Sequence, residues 1–272
     1  MTALQPTPME LDLEDGTTLA MLVSAPDDPR GLVVLIHGLT GSKEDFTRVL
    51  PHLAEAGYTA VAYDQRGHHE TQAEGGFSLP QLAQDATTVA QAFTTDLDAI
   101  VHLVGHSFGG VVATEAVLAD PHTWTTMTLL CSGPVGLPGN PWVEGLRALV
   151  AEGKSMAEIF RARRAADPTP LPEDRAELLR QRFLASDPEA LDEMARILLN
   201  APDRTQQLVD SDVQCFVVFG EDDDMWPLEV QRAAAEAFGT EPVVIREAGH
   251  QPGVDQPKAT AKAIVRHCGY LD

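Results

Sequence analysis

Gly105-His106-Ser107-Phe108-Gly109 sets a hydroxyl between two glycines, behind an apolar strand run and ahead of the helical run GGVVATEAVLA. A serine on so sharp a strand-to-helix turn is presented outward. The glycines two before and two after it let strand and helix pass closely. The chemistry this suits is nucleophilic attack, but a hydroxyl is a weak nucleophile at neutral pH and needs a base. The chain offers nine histidines for that role. A carboxylate would have to orient the base, and GEDDDMWP, Gly220 to Pro227, supplies four in a row behind the apolar run FVVFG. The competing readings of this run are a solvated charged face and a cation loop. A calcium loop would need DxDxDG spacing and a downstream bidentate glutamate, and neither is found.

The elements that must carry these groups show in the alternation of patterns. Two strand-like segments, MELDLED and TLAMLVS, come first. The runs LVVLI (Leu32 to Ile36), TAVAY (Thr59 to Tyr63), AIVHLV (Ala99 to Val104) and WTTMTLL (Trp124 to Leu130) then alternate with helical stretches. This predicts an α/β fold with a mostly parallel sheet of about eight strands flanked by helices. From Gly133 to Leu208 strands give way to helix patterns broken by Pro and Gly, so an inserted helical cap is expected over 133–208, on a core of 1–132 and 209–272. Within it Ser155 and Glu158 have capping-box spacing, and Asp187 before Pro188 reads as an N-cap followed by proline at N1. Alternation resumes with QCFVVFG, a helix from about Pro227 to Phe238, the strand PVVIRE and a last helix from about Gln256 to His267.

Composition narrows the partners. With 41 acidic against 19 basic residues the net charge is −22, a field that repels nucleic acid and anionic membranes. A small-molecule substrate is the expected partner, a neutral one or one handled locally being favoured, and nothing in the sequence bears on oligomeric state. The longest aliphatic run, LVVLI, is too short to span a bilayer. MTALQPTPMELDLEDG lacks the basic and apolar regions of a secretory leader, so a cytoplasmic location is the default expectation. Cys131, Cys215 and Cys268 form no CxxC pair or zinc spacing and read as separate reduced thiols. His68 and His69 are adjacent, which does not suit metal ligation as an i,i+4 helix pair would, and no metal is expected.

Ser107 in its turn, with a strand ending in His37-Gly38-Leu39-Thr40 upstream, resembles the α/β-hydrolase superfamily, in particular its capped, lipase- and esterase-like members. The resemblance covers nearly the whole chain, although the cap matches no substrate-specific pattern. It implies a carboxylic ester hydrolase that cleaves an ester of a small or medium apolar substrate, forms an acyl-enzyme and needs no cofactor. By the same resemblance, the backbone amides of Leu39 and Phe108 form the oxyanion hole, and the chain order serine, acid, histidine makes His250 the base. The pattern GxxDxxxP puts the acid three residues past Gly220 and four before Pro227, at Asp223, leaving Asp222 or Asp224 to cap the next helix. Gly249 to Pro257 resembles GHxxxxExP with Asp255 where glutamate is usual, and Asp255 is expected to be a helix N-cap. Asp64-Gln65-Arg66-Gly67-His68-His69-Glu70-Thr71 resembles DxRGxGxS with two departures: histidine stands at 69 and threonine at 71. Asp64 and Arg66 read as structural.

Trp226, Trp142, His106 and Ser132 are expected to line a substrate pocket, though each would also suit the core. Arg161, Arg163 and Arg164 read as a solvated helix face in preference to a carboxylate site. The same scaffold also serves cofactor-free haloperoxidases or perhydrolases, C–C bond hydrolases, cofactor-independent dioxygenases and ligand-binding receptors with little turnover.

Overall fold

The apolar runs form strands β1 (Thr7–Asp12), β2 (Thr18–Ser24), β3 (Leu32–Ile36), β4 (Thr59–Tyr63), β5 (Val101–His106), β6 (Thr126–Leu130), β7 (Gln214–Gly220) and β8 (Val243–Ile245). The structure, a computed structural model, describes residues 4–94, 99–166 and 170–269, so residues 1–3 of the N-terminal stretch considered above lie outside it. The strands join one sheet in the order β1-β2-β4-β3-β5-β6-β7-β8. β1 and β2 run antiparallel to their neighbours, and every pairing from β4 onward is parallel. Two boundaries differ from the sequence expectation. β5 continues to His106, directly against the serine, and β8 is cut to three residues because Glu247 takes a left-handed backbone, φ 54°.

β3 is buried throughout, and its alternate residues serve two different cores. Val34 and Ile36 pack on one face of the sheet, while Val33 and Leu35 pack on the other. Such two-sided burial explains why a parallel strand reads as an unbroken aliphatic run. Each buried aliphatic side chain contributes roughly 1.5–3 kcal/mol. The helices are α1 (Leu50–Glu55), α2 (Leu79–Phe93), α3 (Phe108–Ala119), α4 (Pro141–Ala151), α5 (Met156–Ala166), α6 (Glu173–Ala185), α7 (Pro188–Asn200), α8 (Thr205–Val209), α9 (Leu228–Ala237), α10 (Pro252–Asp255) and α11 (Pro257–Cys268). α2 and α3 cover the Val34 face, and α1 and α11 the Val33 face.

α4 to α8 occupy the interval between β6 and β7. Within it α7 is the anchor: Leu191, Met194, Ala195 and Leu198 enter the same core as α3. α5 and α6 stand further out, burying only Ile159 from one and Arg182 with Phe183 from the other. Asp187 caps α7 on the amides of Glu189 and Ala190, and Ser155 and Glu158 bond each other reciprocally. Among the described residues no helix is long and apolar enough to cross a membrane.

Candidate active site

Ser107 bridges the end of β5 and the start of α3 with φ 53° and ψ −121°, a conformation that costs a non-glycine residue about 1–3 kcal/mol. Its neighbours hold it there. The Ser107 N–H donates to the Leu130 carbonyl at 3.0 Å, and the Ser107 carbonyl accepts from the Ser132 hydroxyl at 2.7 Å. A Cβ at Gly105 would collide with the Gly109 carbonyl and the Gly110 Cα, and one at Gly109 would strike the Ile36 carbonyl. Only glycine lets β5 and α3 approach this closely.

His250 reaches the serine from the loop after β8. Its Nε2 lies 2.9 Å from Ser107 Oγ, and its Nδ1 lies 2.8 Å from Asp223 Oδ1. Asp223 is buried, while Glu221, Asp222 and Asp224 are exposed. Burial alone would raise the Asp223 carboxyl, but the hydrogen bond and charge of His250, with help from Gln231 and the Trp226 amide, bring it down to about 2. An ionised carboxylate only accepts, so Nδ1 carries the imidazole proton and Nε2 presents its lone pair to the serine hydroxyl. Asp223 Oδ1 also accepts from the Met225 and Trp226 amides, and Oδ2 accepts from Gln231 Nε2 at 2.9 Å. Gln231 had no signal in the sequence, since it lies a helix turn into α9. The first turn of α9 has no side-chain cap, so Asp223 itself, not Asp222 or Asp224, organises the chain ahead of Pro227.

The loop bearing Leu39 runs against the serine: a Cβ on Gly38 would sit 3.1 Å from Ser107 Cβ. A turn closes this loop by Gly41 N–H donating to the Gly38 carbonyl at 2.9 Å, a bond that does not use the Leu39 N–H. The Phe108 N–H is the first of α3, and the first amides of a helix have no intrahelical acceptor. Two histidines brace the loop. Gln65 N–H donates to His37 Nε2, so His37 Nδ1–H donates to the Gly38 carbonyl at 2.8 Å. His68 Nε2 donates to the Leu39 carbonyl at 2.7 Å, a role for the first histidine of the HHE stretch that sequence reasoning did not foresee. His69 keeps the left-handed backbone, φ 45°, that glycine would otherwise serve.

Four side chains expected in the pocket are placed elsewhere. Trp226 is wholly buried against Gly133 in the main core. Ser132 is likewise inaccessible, spending its hydroxyl on the Ser107 carbonyl. His106 is buried and donates from Nε2 to the His250 carbonyl at 2.7 Å; burial and the nearby His250 push it down to about 4, so it is neutral and braces the histidine loop. Trp142 is half-buried beneath the Arg163 guanidinium, 4.8 Å from its ring. Asp255 is not an N-cap either: its carboxylate accepts from the Gly249 N–H at 3.0 Å, pinning the loop beside His250.

The cleft that His250 does open on has a volume of about 990 Å³ and lies between α5 and α6 on one side and the Thr40 and Gly249–Gln251 loops on the other. Arg163 and Arg164, expected on a solvated face, turn into this cleft; Arg161 alone of the three faces solvent.

Among the described residues, two clusters bring metal-type donors together. Cys131 joins Asp223 and His250, but burial and the adjacent carboxylate keep its thiol well above the usual range and hence protonated. Glu44, Asp64 and His69 form the other. There the Lys43 ammonium already stands among the carboxylates, 2.8 Å from Asp64, 2.7 Å from Glu70 and 2.9 Å from Glu44.

The sequence model of the alpha/beta hydrolase family matches residues 33–263. Epoxide hydrolase B of Mycobacterium tuberculosis is 30% identical over 138 residues, which cover 47% of this chain and 38% of that protein. The dihydrolipoyllysine-residue acetyltransferase component of the acetoin cleaving system of Cupriavidus necator is 29% identical over 254 residues, 87% of this chain and 63% of that protein. The chain thus spans less than two thirds of either relative's length. A solved hydrolase from Pseudomonas aeruginosa PA01 superposes with a TM-score of 0.81 over 97% of this chain and 98% of its own, at 21% identity.

Proposed function

The chain belongs to the alpha/beta hydrolase family, and from that premise we propose that it is a serine hydrolase cleaving a carboxylic ester of a small or medium-sized substrate through an acyl-enzyme. The observation that carries this reading is His250 bonded to Ser107 Oγ at 2.9 Å on one ring nitrogen and to Asp223 at 2.8 Å on the other. Ser107 Oγ attacks the ester carbonyl as its proton passes to His250 Nε2. Asp223 stabilises the imidazolium, and the amides of Leu39 and Phe108 receive the developing alkoxide. His250 then protonates the departing alcohol, and the C–O bond breaks to leave the acyl-enzyme. Water repeats the cycle: its proton goes to His250, the acid is released, and Ser107 regains its proton. Every step is carried by these side chains and amides, so no cofactor is called for. The α4 to α8 insertion acts as the cap that shapes the substrate site.

A fluorophosphonate probe should label the wild-type protein at Ser107 and leave Ser107→Ala untouched. Folded wild type that stays unlabelled removes the proposal. Short p-nitrophenyl esters provide the second check: release of nitrophenol well beyond one equivalent supports an enzyme, and a burst that stops at one equivalent supports a ligand-binding protein with little turnover.

A further inference from the structure

The cleft beside His250 is basic in a strongly acidic protein. Of the chain's 19 lysines and arginines, five arginines line it: Arg48, Arg163, Arg164, Arg175 and Arg182. Three carboxylates face them there, Glu44, Asp174 and Asp255. Of these, Glu44 is already paired with Lys43, and Asp255 is bonded to the Gly249 amide. The rest of the lining includes Phe160, Leu171, Leu178, Leu179 and Phe183, an apolar wall.

Two of the guanidiniums are tied to the reacting centre through neutral oxygens. Arg175 donates from Nη2 to Gln251 Oε1 at 2.6 Å, on the residue that follows His250. Arg163 donates from Nη1 to Thr40 Oγ1 at 2.5 Å, on the residue that follows Leu39. The neutral Gln251 oxygen fixes where the Arg175 guanidinium points without cancelling its charge. Behind Arg175, Asp45 lies 3.6 Å away but is already bonded to Arg182 at 2.6 Å, so one buried carboxylate serves two arginines. The Arg175 side chain is 18% exposed. Burial pulls it below the ordinary arginine range and Arg182 adds to that, while Asp45, Asp255 and Asp174 oppose it. The distant acidic surface gives little relief, since screening confines such fields to about 10 Å.

We propose that this cleft recognises a carboxylate carried by the substrate, held by Arg175, while the apolar wall takes the intervening chain. The preferred substrate is then an ester bearing a free carboxylate, such as a half-ester of a dicarboxylic acid. The bond that is broken rests on the serine-hydrolase reading above; the anion that is bound does not.

The two parts separate in a paired experiment. Ser107→Ala protein is titrated by calorimetry with monomethyl glutarate and with methyl valerate, in the Arg175 and Arg175→Gln backgrounds. In parallel, kcat/KM is measured on otherwise wild-type enzyme for mono-p-nitrophenyl glutarate against p-nitrophenyl valerate. The carboxylated ligand should bind at least about tenfold more tightly than the neutral one, and Arg175→Gln should reduce that preference about tenfold in both assays. Arg175→Lys should recover part of it. Added salt should weaken only the carboxylated ligand. An arginine that merely fastens the cap would leave the preference unchanged, so equal binding of the two ligands, or an unaltered ratio in Arg175→Gln, overturns the proposal. Arg175-dependent binding without turnover of either ester would sustain anion recognition and remove the hydrolase reading.

Discussion

Four carboxylates follow β7 side by side, and burial makes them unequal. Asp223 takes four hydrogen bonds from His250, Gln231 and the loop amides, whereas Asp222 and Asp224 are exposed. Removing the charge of Asp223 while keeping its shape would leave His250 in the wrong tautomer, a change that costs about 10⁴ in kcat for a triad acid. Asp223→Asn should therefore lower ester turnover by roughly three to four orders of magnitude, and Asp222→Asn and Asp224→Asn by less than about threefold. Parallel kcat measurements on the three variants decide it, and a reversed ranking would reassign the acid.

The parts that carry these residues meet at glycines, and the contacts differ sharply from one glycine to the next. Gly220 ends β7 directly under the His250 loop, where an added Cβ would run into the carbonyls of Gly249 and Ala248. Gly145, on the exposed side of α4, has open space around it. Gly220→Ala should displace the loop and depress kcat at least about tenfold, since misplacing a catalytic group by about 1 Å costs up to 10². Gly145→Ala should instead raise stability by about 0.5–1 kcal/mol, the helix-propensity difference, with turnover intact. Thermal denaturation alongside kcat distinguishes the two. A Gly220→Ala enzyme with normal kcat would mean that the loop has more room than the backbone contacts indicate.

Acid should unfold this protein from the inside before it neutralises the outside. Burial holds His106 and His267 neutral, each pushed down to about 4, with His250 adding to the shift at the former and Arg266 at the latter. Both folded-state values lie below the ordinary histidine value near 6.5, so below that pH the unfolded chain binds more protons. The stability these histidines confer is complete above about pH 6.5 and is lost as the pH falls toward 4, on the order of 3 kcal/mol each. Asp223, held at about 2, adds a loss in the same direction only below about pH 4. Protonating the acidic surface works the other way by relieving repulsion among its charges, but salt screens that contribution and leaves the buried histidines unscreened. The urea midpoint should thus drop between pH 7 and pH 4.5 in 0.5 M salt, on the order of Debye lengths below 5 Å. An unchanged midpoint would show that the buried imidazoles accept protons without cost.

The sheet and the serine turn could be anticipated from the chain because each rests on local rules, whereas Asp223 and His250 were singled out by the resemblance to a known family. Continuous buried runs define β3 and β5, and glycines flank Ser107. Such signals survive in a string of letters, since they depend on neighbours a few residues away. The cleft did not. Arg182 finds Asp45 across 137 positions, Arg163 finds Thr40 across 123, and Arg175 finds Gln251 across 76. Trp226 and Ser132 carry pocket-like chemistry yet are walled into the core, while Arg163 and Arg164, which look solvated on α5, line the cleft. Which face of a helix meets which loop depends on how α5 and α6 settle over the sheet edge, and burial, which decides whether a charge is screened or felt, exists only once they have done so.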